Sequence, residues 1–340
     1  MSKNELTTSM KKDRIFCRSY NLRADILCKL LFVILLPMLG CYSCIKISCE
    51  DQEKFKTAIY NNDESYINFI LSKGIDLNDE NAFGYLPIRI AVLADNIKII
   101  KQFLEYGANV NQRGLLTEDT CLSSSRSVEV AQFLIDNGAE INCENFIKES
   151  PLHFFAGRYL DISRLLIKHG ADVNKKNEGG QTPIFRSILV DNYETFKLLV
   201  DSKADLNIVD NQGSNLFTYF AYSSCDIRIA DVLFNKGVSI FHKINNGHNC
   251  LMIASRGARR NIEDKKKYVK YFLSWGIDIN MQSNVGETAL HVAVAYDQYE
   301  IAKLLIESGA DTTIISNESK TPLQIAIDRG NKEIIKLLSQ

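Results

Sequence analysis

The chain has 340 residues, 46% of them hydrophobic and 24% charged, a globular balance that excludes wholesale disorder. Formal net charge is -1, but the first 40 residues hold seven Lys/Arg against three Asp/Glu, leaving 33 basic and 38 acidic residues behind them. That mildly acidic body argues against a protein that tracks nucleic-acid phosphates. Of the nine cysteines, five fall at positions 17, 28, 41, 44 and 49 and the rest are scattered, which is no disulfide framework.

In chain order, the first feature is a basic leader with Lys11, Lys12, Arg14, Arg18, Arg23 and Lys29, followed by the apolar run from Leu30 to Leu36 and then Pro37. About 16 residues separate Lys29 from Lys46, fewer than the roughly 20 of a membrane span, so residues 1–40 read as a secretory signal, with an uncleaved anchor as the alternative. Met10 is an alternative start. The sequence Met38-Leu39-Gly40-Cys41 resembles the lipobox of bacterial lipoproteins, in which a small residue precedes a cysteine that is lipidated before cleavage. Gly40 and Cys41 match that pattern; Met38 and Leu39 are larger than it usually places there. The resemblance implies lipidation at Cys41, a short tether over residues 41–50 and a membrane-associated, exported location. Cys41, Cys44 and Cys49 also stand as C-x2-C-x4-C, but no nearby histidine or fourth cysteine completes a tetrahedral metal site. In an oxidising compartment a local Cys44–Cys49 disulfide is the better reading.

From residue 51 to 340 the chain repeats itself. One segment begins at Gly74, Gly107, Gly138, Gly170, Lys203, Gly237, Gly276 and Gly309, with spacings of 33, 31, 32, 33, 34, 39 and 33 residues. Its fullest copies read Gly-Ala-Asp-Val-Asn, as at Gly170 to Asn174; Gly237 to Phe241 is a degenerate copy. A second quartet keeps the same pitch, starting at Leu86, Thr120, Ser150, Thr182, Asn215, Asn249, Thr288 and Thr321. Thr, Ser or Asn there can cap a helix, and a following Pro sits at the first helical position, where its missing donor is harmless. A second amphipathic helix follows, as in Ile162 to Lys168 or Ile301 to Glu307, and the glycine after it permits the left-handed stop. Each unit is then helix, turn, helix and loop, with an apolar face that only stacking on neighbours buries.

Together the two motifs, T-P-L-H and G-A-D-V-N in consensus, resemble those of ankyrin repeats, and about nine copies fit into residues 51–340. The resemblance implies an all-α solenoid of stacked helix–turn–helix units with projecting hairpin-like loops, the first and last units acting as caps. It also implies a protein partner bound through loop tips and the concave face made by the first helices. The tip-proximal candidates are Glu80, Arg113, Glu144, Lys176, Asn211, Lys243, Asn284 and Asn317, which vary over a repeating frame.

Chemistry is sparse. His153 and His291 take the fourth quartet position, where the family uses histidine for structural hydrogen bonds; His169 sits at a helix C-terminus, and His242 and His248 read as solvated loop residues lacking a third metal ligand. Cys121 and Cys250 replace the quartet proline and read as small packing residues in the first helical turn. Gly179, Gly180 and Gly213 are turn glycines without a phosphate-binding motif, and no nucleophile-elbow or zinc-protease motif occurs. Arg259, Arg260 and Lys265 to Lys267 fall in a solvated insertion of the seventh repeat, interrupted by Glu263 and Asp264. The sequence therefore reads as a non-enzymatic interaction module, exported or membrane-tethered, with no cofactor, metal, nucleic acid or small-molecule substrate. A bacterial effector or intracellular scaffold with an uncleaved anchor, or an inhibitor of a partner enzyme, would use the same surface.

Overall fold

A computed structural model describes residues 48–115, 118–223, 226–256 and 262–340. The leader, the apolar run and Cys41 lie outside those residues, as do Cys44, Arg259 and Arg260. Among the described residues there is no strand, and nine helical pairs follow one another from Cys49–Asn61 with Glu64–Ser72 to Pro322–Arg329 with Lys332–Leu338. The all-α solenoid of stacked helix–turn–helix units expected from the repeat is what the chain forms. Successive first helices touch one another along the whole array, making one continuous row.

Caps start these helices where the quartet predicts them. The Thr288 hydroxyl accepts from the His291 backbone N–H, Thr321 from Gln324, and the Asn249 side chain from Met252. Left-handed residues stop the second helices: Gly107, Gly170 and Gly309 have φ of 86°, 88° and 92°. Lys203 holds the same place at φ 66°.

Packing buries what a single pair cannot. One connected apolar cluster runs from Phe55 to Ile334, and Phe103, Phe155, Phe196 and Phe272 within it are fully buried. Each such ring contributes about 2–3 kcal/mol by leaving water. Polar bonds set the register of the stack. The last residue of the Gly-Ala-Asp-Val-Asn segment reaches across to the next repeat: Asn142 Nδ2 donates to the Gly170 carbonyl at 3.0 Å, and its Oδ1 accepts from the Asp172 N–H at 2.9 Å. Asn78 and Asn111 make the same two bonds to the Gly107 carbonyl with Asn109 N–H and to the Gly138 carbonyl with Glu140 N–H. Phe241 stands at the equivalent place in the sixth repeat, where its ring cannot form this clamp and is 54% exposed.

The two quartet histidines are built as neutral bridges. His153 Nδ1 accepts from the Ser150 N–H at 3.1 Å, while Nε2 lies 3.1 Å from the Gln181 carbonyl of the next repeat and donates to it. His291 repeats this with the Thr288 N–H and the Lys320 carbonyl. A proton on Nδ1 would turn that acceptor toward a backbone donor. Burial lowers both imidazole pKa values, against the opposing pull of the carbonyl bonds.

Two outcomes follow. Because a lysine in the left-handed region is strained, Lys203→Gly is expected to stabilise the array by about 1 kcal/mol and Gly170→Ala to destabilise it by a similar amount; urea unfolding of the two variants checks both signs. Because both histidines bind protons less readily folded than unfolded, their contribution is complete above the unfolded value of about 6.5 and is lost as pH falls from there through the lower folded values. The urea midpoint of the parent should therefore drop between pH 7.5 and 5.5 by more than that of a His153→Gln/His291→Gln variant.

Candidate functional site

The loops between repeats project as hairpin-like tips, closed by backbone bonds such as Asn177 N–H to the Gln181 carbonyl and Ser283 N–H to the Glu287 carbonyl. Neighbouring tips are tied together as well: Asn211, Asn245, Asn284 and Asn317 donate their backbone N–H to the Gly179, Gln212, Asn246 and Val285 carbonyls. Their side-chain amides extend the strip. Asn211 Nδ2 donates to the Glu178 carbonyl at 2.8 Å, Asn284 to Asn245 at 2.9 Å and Asn317 to Asn284 at 3.1 Å. Each asparagine lies over a glycine of the preceding repeat. A Cβ on Gly180 would come within 2.6 Å of Asn211 Oδ1, and one on Gly286 within 2.6 Å of Asn317 Oδ1. Asn211, Asn284 and Asn317 thus belong to the frame of the strip, together with Asn245.

The eight candidates fall into two columns. Glu80, Arg113, Glu144, Lys176 and Lys243 lie two residues beyond the clamp position, whereas Asn211, Asn284 and Asn317 lie four beyond it. In the first column the fifth, seventh and eighth loops place Val209, Gln282 and Ile315 instead, and Val209 and Ile315 are exposed. Reading outward from the clamp asparagine or its replacement in every repeat is the signal that finds them. Within this column Glu80 accepts from the Leu115 N–H at 2.6 Å, and Lys243 donates to the Gln282 carbonyl at 2.9 Å. Glu144 is paired with Lys175 at 2.7 Å, and that ammonium holds its carboxyl below the usual range. Arg113 and Lys176 are exposed and make no hydrogen bond or ion pair among the described residues.

The first-helix face offers a second surface. Phe154, Leu189 and Ile327 stand exposed on it. Its regularity breaks in the third repeat, whose first helix shrinks to the single 3-10 turn Leu122–Ser124 before Ser125 turns extended.

The remaining groups with chemical potential are accounted for by packing. Cys121 and Cys250 are buried at helix starts, and burial pushes the Cys121 thiol up to about 12. His242 and His248 depart from the solvated reading: His242 Nε2 bonds the Gly213 carbonyl of the preceding repeat, and His248 is half-buried 3.7 Å from Glu287. Among the described residues no group of His, Cys, Asp and Glu could hold a metal ion, and no helix is long and apolar enough to cross a membrane. Of Arg259, Arg260 and Lys265 to Lys267, the described part lies on the helix Ile262–Ser274, where Lys266 pairs with Glu300 at 2.7 Å.

Comparison with known proteins agrees with this architecture. The family profile described as ankyrin repeats (3 copies) matches residues 120–210, 211–316 and 263–340. The chain is 29% identical over 157 residues to a protein of Saccharomyces cerevisiae described as probable 26S proteasome regulatory subunit p28, covering 43% of this chain and 69% of that one. It is 21% identical over 249 residues to the phosphocholine transferase AnkX of Legionella pneumophila, covering 68% of this chain and 26% of the transferase. With an ankyrin repeat protein of Acanthamoeba polyphaga mimivirus it shares 23% identity over 248 residues, covering 62% of this chain and 39% of the viral protein. The match thus spans most of the yeast protein but well under half of the other two. With the profile matched from residue 120 to the last residue and both motifs in register throughout, this chain belongs to the ankyrin repeat family.

Proposed function

We propose that the chain is an exported interaction module, held at a membrane by lipid on Cys41, that binds a partner protein through its loop-tip column and first-helix face. The family makes it a protein–protein interaction module; export, tether and binding face are this proposal. The observation that carries the binding face is the contrast within the tips. A strip of asparagines and glycines bonded from repeat to repeat fixes the geometry, and beside it Arg113 and Lys176 stand with their charges unpaired among the described residues. Fixed backbone with free, non-repeating side chains is how a recognition surface limits the entropy lost on binding. The basic leader, the apolar run and Gly40-Cys41 support export and lipidation.

Affinity capture with residues 51–340, followed by mass spectrometry, supplies the partner. Arg113→Glu and Lys176→Glu are each expected to weaken its binding about tenfold with helicity unchanged, as for central interface charges. Asn284→Ala should instead lower the unfolding midpoint. Binding indifferent to both charge reversals would move the surface away from the tips.

The tether has its own test. A fatty-acid analogue should label the native protein, which should pellet with membranes and resist salt, as anchoring by two or more acyl chains requires. Cys41→Ser should remain an uncleaved precursor. A variant that matures and fractionates like the parent, with no label in either, replaces the lipoprotein reading with the uncleaved anchor.

A further inference from the structure

The shortened helix of the third repeat leaves a mark on the first-helix face. Every other repeat with a quartet fills this row with an α-helix, including its neighbours Pro87–Leu93 and Pro151–Phe155. Here the chain turns extended at Ser125 after one 3-10 turn. A groove of about 250 Å³ opens between the second and fourth repeats, with Leu93, Phe154 and Tyr159 on its apolar wall and Arg89, Ser125 and Arg126 on its polar side.

Three observations say what fits there. Phe154, a large apolar side chain, is 48% exposed and stacks on Tyr159 with ring centroids 6.4 Å apart and planes 19° apart, presenting a flat aromatic wall. Ser125 is 2% exposed, yet its hydroxyl makes no hydrogen bond among the described residues. A buried hydroxyl without a partner is costly, and of the six such hydroxyls among the described residues only that of Ser125 belongs to the lining of this groove. The third observation is charge. The acidic groups of the groove are already engaged: Asp119 with Arg89 at 3.6 Å and Asn145 at 3.2 Å, and Glu149 with Arg186 at 3.8 Å and Asn177 at 3.4 Å. Arg126 and Arg158 are exposed, and their guanidinium groups have neither ion pair nor hydrogen bond among the described residues. They hold equivalent places in adjacent repeats, just before the second helix, where the second and fifth repeats have Asp95 and Asp191. In a body of acidic balance, Arg126 lines the aromatic notch with its charge unpaired, and Arg158 directly precedes Tyr159 of the notch wall.

We infer that this groove receives an acidic peptide segment of a partner protein with a tyrosine at its centre, the ring lying against Phe154, the phenol reaching Ser125 and the flanking carboxylates pairing with Arg126 and Arg158. The inference rests on the interaction-module reading and gives it a ligand class. Opposite charge supplies the attraction, the aromatic contact the affinity, and the unpaired hydroxyl the choice of tyrosine over phenylalanine.

The test uses the full chain and a fluorescein-labelled heptapeptide, Gly-Glu-Glu-Tyr-Glu-Glu-Gly, read by fluorescence anisotropy. Peptides with alanine or phenylalanine in place of the tyrosine, and with lysines in place of the glutamates, are the comparators. The acidic tyrosine peptide should bind about tenfold more tightly than the alanine peptide, and the lysine peptide should not bind. The Arg126→Glu/Arg158→Glu protein should lose at least about tenfold toward the acidic peptide and gain affinity for the lysine one. Ser125→Ala, a change small enough to leave the fold intact, should abolish the preference for tyrosine over phenylalanine. Absence of binding up to about 1 mM, equal binding of all four peptides, or an arginine double variant that binds like the parent overturns the inference. Failure here while the Arg113 and Lys176 reversals still weaken the captured partner removes the groove and leaves the module; failure of the tip variants with success here moves the module's binding face to the groove.

Discussion

A pair of short antiparallel helices has more apolar surface than it can fold over itself, and everything else in this molecule follows from where that surplus goes. It goes to the next pair. Phe103, Phe155, Phe196 and Phe272 come from different repeats yet lie in one cluster, so no repeat owns a core of its own. Stability then resides in the interfaces, and each repeat holds its shape only while its neighbours hold theirs. The hydrophobic contact is non-directional, however, and cannot by itself set the angle or register at which pairs stack. That task falls to polar groups at the seams: the asparagine clamps on one side, the imidazole bridges of His153 and His291, and the bonded strip of loop tips.

This division of labour explains how much could be read from the sequence. The clamp, the capping residues and the helix-ending glycines recur at the repeat pitch, because each solves the same local problem in every copy. The fold class followed from them. Lys203 breaks the glycine series and still adopts φ 66°, since the neighbours on both sides over-determine its place. The tips were harder, because two adjacent columns carry opposite meanings. Asn211, Asn245, Asn284 and Asn317 are the same residue in four consecutive repeats, and a residue that recurs is solving a structural problem. Arg113, Lys176, Val209 and Ile315 differ from copy to copy because nothing in the frame requires a particular side chain there.

The groove was the least legible feature. Thr120-Cys-Leu-Ser reads as a quartet like the others, and the serines after it show only that this repeat diverges. What shortens the helix is local: Val128 opens the second helix only 8 residues after Thr120, against 11 from Leu86 to Ile97 and 10 from Ser150 to Leu160, and the run Ser123 to Ser125 has poor helix propensity, so there is little room or preference for a second turn. The consequence, an exposed Phe154 beside an unpartnered Ser125, depends on the fourth repeat approaching across the gap, and spacing alone does not contain that distance. His242 was similar. Its neighbours in sequence suggested a solvated loop, but its partner is the Gly213 carbonyl, 29 residues earlier.

The seams have a kinetic side. The hydrogen bonds named between neighbouring repeats join residues from 26 to 39 positions apart in a chain of 340. Every such bond therefore closes a loop of about one repeat, however many repeats the array contains, and the chain entropy lost per interface stays nearly constant. A fold of this length built from end-to-end pairings would have to close loops of hundreds of residues before any contact rewarded the closure. Here low contact order is inherited from the architecture, so ordering can begin at whichever neighbouring pair forms first and spread outward one seam at a time. Adding or losing an internal repeat lengthens or shortens that zipper without changing the difficulty of any single step.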